Sequence, residues 1–231
     1  AHIDGKNRGP AAYDDAAGIA AMLELLNLLV ESKKPPSRPI ILLFVGVEEL
    51  GLQGSKLFLK YHNCSNPQLN STGCFFDTTN DSINIASRFL ENSSSFLNIE
   101  SLGPGMPLGI MQKGKGSAGT INSLKNTKGL IFGTFADDVT KLGLITSTSD
   151  AVRFREKGMA GAELLFFGNP TKYHTQLDSI STNSNINDET KETFSIDNFL
   201  NYKTNPINHL QLLGNALTDF VFKYRIIENT D

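Results

Sequence analysis

The chain lacks several features that would direct its reading elsewhere. Among its 231 residues, no apolar run approaches the roughly twenty needed for a helix to cross a bilayer, because Pro, Lys or Glu interrupts each one. No helical membrane span is expected in this segment. Basic residues are in slight deficit, 21 Lys+Arg against 24 Asp+Glu for a net charge of -3. No stripe of Lys or Arg interleaved with aromatics is present, so nucleic acid is excluded as an expected partner. No signal-peptide pattern is read in this segment, and that absence says little about the compartment. Cysteine is nearly absent. Cys64 and Cys74 allow at most one disulfide, and that would need an oxidising compartment.

What is present suffices for one sizeable core. Hydrophobic residues make up 39% of the chain, and a single domain over 1–231 is expected. Residues 181–206, rich in Asn, Ser, Thr and Asp, read as a polar surface insertion. Asn63, Asn70, Asn80 and Asn92 each open a glycosylation acceptor pattern. Their clustering favours a glycoprotein of the secretory pathway, lumenal or extracellular.

Residues 15–33 read as a helix with a broad apolar face, stopped by Lys34-Pro35-Pro36. The run Ile40 to Val47 has the length and β-branched content of a buried parallel strand. A short helix is expected over 54–62, and Gly73-Cys74-Phe75-Phe76 reads as a strand ending at Asp77. Residues 80–115 are turn-rich and carry no assignment. Further helices are expected near 118–126 and 135–142, a strand over 162–167, and a last amphipathic helix over 207–223. Strands alternating with helices imply an α/β fold in three layers, with a largely parallel mixed sheet flanked by helices. The strand that would deliver His2 lies outside the chain, so the sheet is expected to lack its N-terminal strands.

The chemistry gathers at the ends of these elements. Glu48-Glu49 closes the apolar run and precedes the turn Leu50-Gly51-Leu52-Gln53-Gly54-Ser55. Carboxylates at such a strand end sit where α/β sheets hold their ligands. His2 and Asp4 lie upstream, then Asp14-Asp15, while Asp77 and His174 each follow a later apolar stretch. Taken singly, each has an ordinary reading: a solvated Glu pair, a helix-capping Asp, a frayed terminal His, a strand-end turn former, a loop His. His62 and His209 match no pattern and read as structural or surface residues. The loop at Lys113-Gly114-Lys115 lacks the spacing of a phosphate-binding loop.

In order, Ala1-His2-Ile3-Asp4, Gly9 to Gly18 with Asp14-Asp15, Val47-Glu48-Glu49 to Ser55, Phe76-Asp77, and Tyr173-His174 to Asp178 form five blocks. The set resembles the M28 family of di-zinc peptidases, mostly aminopeptidases, over about residues 1–180. The resemblance implies a zinc-dependent exopeptidase, foremost an aminopeptidase acting on peptides, in which a hydroxide held by two zinc ions attacks. It implies that Asp14 bridges the metals, that His2 and Asp77 complete one, and that Glu49 and His174 complete the other. Glu48 would be the general base. Asp4 could accept the other imidazole N–H of His2, and Asp178 could do the same for His174. The Asp14–Asp15 junction resembles a non-proline cis peptide of the family. Relatives commonly read Ser-Asp-His and then an aromatic. This chain reads Ser149-Asp150-Ala151-Val152-Arg153-Phe154, which keeps Asp150 but loses the His. Two other functions fit the same blocks: a glutaminyl cyclase-like acyltransferase with one zinc, and a catalytically impaired binding module.

Overall fold

The structure is a computed structural model, and it describes residues 1–6, 9–33, 35–62, 95–103, 107–113, 117–133, 149–179 and 206–224. A turn of π-helix over Ala12–Ala16 leads into helix α1 (Ala17–Glu31). There follow α2 (Gln53–His62), strands β1 (Phe96–Ser101) and β2 (Leu108–Lys113), and α3 (Ala118–Leu124). The two-residue strand β3 (Ile131–Phe132), α4 (Ala151–Glu156), β4 (Gly161–Phe166) and α5 (Pro206–Lys223) complete the order.

The sheet is mixed, in the order β1-β4-β2-β3. β1 runs parallel to β4, and β2 parallel to β3, while β2 and β4 are antiparallel. Alternation along the strands divides the side chains between two faces. On one face Ile99, Leu108, Ile110, Ala162, Leu164 and Phe166 join α1, α3 and α5 in the main core. α1 buries Ala17, Ala21, Met22 and Leu25 there, an i, i+4, i+5, i+8 stripe typical of a helix on a sheet. On the other face α4, with α2 packed beside it, lies against β1 and β4, and Phe154 stacks on Phe96 at 5.3 Å.

The strand expected at 39–47 forms no ladder among the described residues. Its one bridge there pairs Val45 with His2 in parallel, with Ile3 N–H donating to the Val45 carbonyl (2.7 Å) and Val45 N–H to the Ala1 carbonyl (3.2 Å). A cavity of about 580 Å³ separates Ile40–Leu43 from the outer edge of β1, which has no strand partner among the described residues. β1 and β2 both fall in the turn-rich stretch 80–115, where Asn98, Glu100 and Ser101 dilute the apolar signal. The expected strand at 73–77, helix at 135–142 and most of the insertion at 181–206 lie outside the described residues. So do both cysteines and all four acceptor asparagines. Among the described residues no helix is long and apolar enough to cross a membrane.

Candidate metal centre

Parallel β1 and β4 and the parallel pairing of Val45 with His2 bring several chain segments to one edge of the fold. His2 comes from the bridge segment, Asp14 from the π-turn, Glu48-Glu49 from the loop after residue 47, Glu100 from the end of β1, and His174 from the loop after β4. His2 is 1% exposed and Asp14 3%. His2 Nε2 lies 3.0 Å from Asp14 Oδ1 and 3.7 Å from Glu100 Oε2. His174 Nε2 lies 3.1 Å from both Asp14 Oδ2 and Glu49 Oε1. Two donor triads result, His2/Asp14/Glu100 and Asp14/Glu49/His174, and Asp14 gives one oxygen to each.

The supporting contacts tie these side chains to the backbone. His2 Nδ1 donates to the Asp4 carbonyl (2.9 Å), which leaves Nε2 facing the triad. The Asp4 carboxylate lies 3.6 Å from Nδ1 and holds backbone instead, its two oxygens accepting the N–H groups of Glu48 (3.1 Å) and Glu49 (3.2 Å). Asp178 likewise accepts Tyr13 N–H (2.9 Å) and Asp14 N–H (3.2 Å), so it fixes the backbone under Asp14. Asp15, 1% exposed, accepts His2 N–H (3.2 Å), and α1 begins with no side-chain cap. The Asp14–Asp15 peptide is cis. Tyr173 stacks on His174 with ring centroids 3.6 Å apart.

Backbone strain concentrates here. Val47, Leu52 and His174 all have φ near +60°, which a β-branched residue such as Val47 adopts only under tertiary constraint. Gly54 in the Leu50–Ser55 turn has a steric reason. A Cβ on Gly54 would collide with the Gly46 carbonyl, so glycine lets the start of α2 close against the chain entering Glu48.

Electrostatically the site is an excess of buried negative charge. Burial alone would lower the His2 imidazole. Its hydrogen bonds to Asp14 and Glu100, together with the charges of Glu100 and Asp15, outweigh burial and push it up to about 12. Burial first, then the charges of Glu100, Asp150 and Glu49, push Glu48 up to about 8, with His2 opposing. Burial also raises Asp15, Glu100, Asp150 and Asp178 above the usual carboxylate range. Glu49 Oε1, Glu100 Oε1 and His174 Nε2 are buried yet have no hydrogen bond of ordinary geometry among the described residues. Orphaned nitrogen and carboxylate donors facing one another within 4.8 Å fit divalent zinc, which takes His nitrogen and carboxylate oxygen.

Asp77 lies outside the described residues. Glu100, which belongs to none of the five sequence blocks, sits with His2 and Asp14 instead. The chain does carry a signal for it: Phe96-Leu97-Asn98-Ile99-Glu100 also ends an apolar stretch in a carboxylate, and Gly103 follows. Asp150 and Ala151 belong to neither triad. Asp150 is 2% exposed beside Ser55, and Ala151, 1% exposed, begins α4. His209 is buried, and its Nδ1 meets the Tyr13 hydroxyl at 3.2 Å.

Several known proteins are similar to this chain. The vacuolar membrane protease of Leptosphaeria maculans is 29% identical over 181 residues, 78% of this chain and 19% of that protein. Endoplasmic reticulum metallopeptidase 1 of Rattus norvegicus is 27% identical over 180 residues, 77% of this chain and 17% of that protein. The chain thus spans under a fifth of the length of these curated relatives. Among solved structures, BSAP, a zinc aminopeptidase from Bacillus subtilis, superposes with a TM-score of 0.58 at 21% identity, covering 100% of this chain and 46% of that one. An aminopeptidase from Aneurinibacillus sp. strain AM-1 gives 0.58 at 19% identity, covering 100% and 45%. At such identities the likeness concerns the fold, a mixed sheet flanked by helices of which this chain holds part. Residues 1–195 match the profile of peptidase family M28, and the chain belongs to that family.

Proposed function

We propose that this chain carries the metal centre of a zinc-dependent exopeptidase, foremost an aminopeptidase that hydrolyses N-terminal peptide bonds. The observation that supports this most is the pair of donor triads sharing Asp14, with Glu48 adjacent to a triad member but outside both. In this reading His2, Asp14 and Glu100 hold one zinc, and Asp14, Glu49 and His174 the other. Bound zinc would polarise the scissile carbonyl and make water a competent nucleophile near neutral pH.

The chain's own residues do the remaining work. Asp4 fixes the backbone of both glutamates, so Glu49 turns to the triad while Glu48 remains half-buried and free to exchange a proton. A pKa raised toward neutrality suits a group that takes a proton from water and returns it to the leaving amine. Asp178 holds the backbone of Asp14, and Tyr173 braces the His174 ring.

Ala151 supports a second reading. At the position where the family resemblance implies a His, a buried methyl can neither donate to a substrate nor stabilise charge, so a binding module with impaired catalysis fits the same fold. A one-zinc, glutaminyl cyclase-like acyltransferase would use fewer of the donors. The vacuolar and endoplasmic reticulum names of the relatives agree with a secretory-pathway setting for the full protein. The deciding experiment measures zinc per chain together with turnover of a panel of aminoacyl amides. Two zincs with turnover are expected. Two zincs without turnover would favour the binding module, one zinc with cyclisation would favour the acyltransferase, and no zinc would remove the metal reading.

A further inference from the structure

Among the described residues, Lys6 brings positive charge to the two triads without belonging to either. Its Nζ lies 2.9 Å from Glu49 Oε2 and donates to the Glu49 carbonyl at 2.8 Å. The two oxygens of Glu49 are therefore divided: Oε1 faces His174 at 3.1 Å, and Oε2 faces the ammonium. The Glu49 side chain is only 6% exposed, whereas that of Lys6 is 39% exposed. The contact thus costs Lys6 little desolvation while acting on a carboxylate that is nearly out of water. Lys6 is held where it is by its own backbone, since its carbonyl accepts Gly9 N–H at 3.0 Å, and its side chain lines a narrow recess together with Asp14, His174 and Asp178.

Resting on the two-metal reading above, we infer that Lys6 is a positioning residue that makes the two metal positions unequal. It reserves Oε2, so Glu49 offers a cation one oxygen rather than two. It also places a fixed positive charge against the Asp14/Glu49/His174 triad, where a second cation must enter. Among the described residues no Lys or Arg pairs with a carboxylate of the His2/Asp14/Glu100 triad; the charged α-amino group of Ala1 acts on Glu100 and Asp15 without an ion-pair contact, and the buried carboxylate of Asp15 adds negative charge close by. The consequence is a tightly held metal at His2 and an exchangeable one at His174, with the second position filled only at higher free zinc. Neutralising the ammonium relieves both effects at once: repulsion falls, and Oε2 becomes available.

The test is a zinc titration of the chelator-stripped full-length protein against a chromophoric competitor, read as stepwise dissociation constants rather than as turnover. Lys6→Met is expected to tighten the weaker step about tenfold or more and to leave the tighter step within about threefold. Lys6→Arg, which keeps the charge, is expected to stay near the wild-type weaker step. In a His174→Ala background, Lys6→Met is expected to change nothing, because the position it acts on is gone. A Lys6→Met variant whose weaker step is unchanged or looser, or whose two steps shift together, would overturn the role of Lys6 while leaving the two-metal reading intact. Failure of the wild-type protein to take up a second zinc at any concentration would instead overturn that reading, and this inference with it.

Discussion

The two ring nitrogens of His2 do different things. Nδ1–H is spent on a carbonyl two residues along the chain, which fixes the tautomer that a metal ligand needs at Nε2. Asp14 presents an oxygen to each histidine, so Asp14→Asn is expected to weaken both metal positions together. Metal analysis that found only one position affected would argue against a shared ligand. Glu100→Gln should release the metal at His2, and Asp77→Asn should not. The reverse result would return that role to Asp77. Glu48→Gln is expected to keep both metals and to lose turnover by about 10^2-fold or more, the scale of a general base. Unimpaired hydrolysis by that variant would remove Glu48 from the mechanism.

At the scale of elements, periodicity announces the structure wherever burial is one-sided or continuous. The stripe of α1, the wholly buried β4 and the long α5 can all be read from the chain. β1 cannot, because Asn98 and Glu100 occupy a buried face that sequence patterning reserves for apolar residues. Their cost is met by partners distant in sequence. Asn98 donates to Glu163 Oε1 across the sheet (3.4 Å), and Ser149 donates a short hydrogen bond to the same oxygen. The run at 40–47 shows the opposite difference: its composition is that of a strand, but a ladder also needs neighbours, and among the described residues only the His2 segment supplies one. The turn after it is held by shape. Gly54→Ala would drive a Cβ into the Gly46 carbonyl, so a loss of about 1–3 kcal/mol is expected by thermal unfolding. Zinc affinity at Glu49 should fall in the same variant, since α2 can no longer close on the loop. Normal stability and affinity would show that the close approach is dispensable.

Over the whole molecule, buried acids make folding sensitive to pH. Burial and the charge of Glu100 push Glu163 up to about 7, and Glu48 reaches about 8. Each therefore holds its proton in the folded state at pH values where the unfolded chain has released it. By linkage, folding stability then falls as pH rises from the ordinary carboxylate range through these values. For the fully buried Glu163 the loss is on the order of 3 kcal/mol. His2, raised to about 12, works in the same direction above 6.5, because the unfolded chain releases an imidazole proton that the folded site still holds. His209, lowered by burial, opposes this only below 6.5. The thermal midpoint of the chelator-stripped protein is thus expected to fall between about pH 6.5 and 9. Zinc should reverse much of that fall and release protons on binding, since it takes the place of the His2 proton among the carboxylates. A midpoint that rises over this window would contradict the charge balance described for the site.

Chain order alone dictates that ligand-type side chains close successive elements: His2 and Asp14 before α1, Glu48-Glu49 before α2, and His174 after β4. It is enough to recognise the family and the class of fold, because strand ends and helix starts are local properties written in spacing and apolar periodicity. Which carboxylate stands opposite His2, what fastens Glu48 and Glu49, and which cation leans on Glu49 are properties of contacts between residues some 12 to 165 positions apart. Such contacts depend on how β1, the bridge at Val45 and the loops of Asp4 and Asp178 converge on one edge. No local propensity encodes that convergence, so packing set Glu100 opposite His2, gave Asp4 and Asp178 to the backbone, and placed Lys6 beside Glu49.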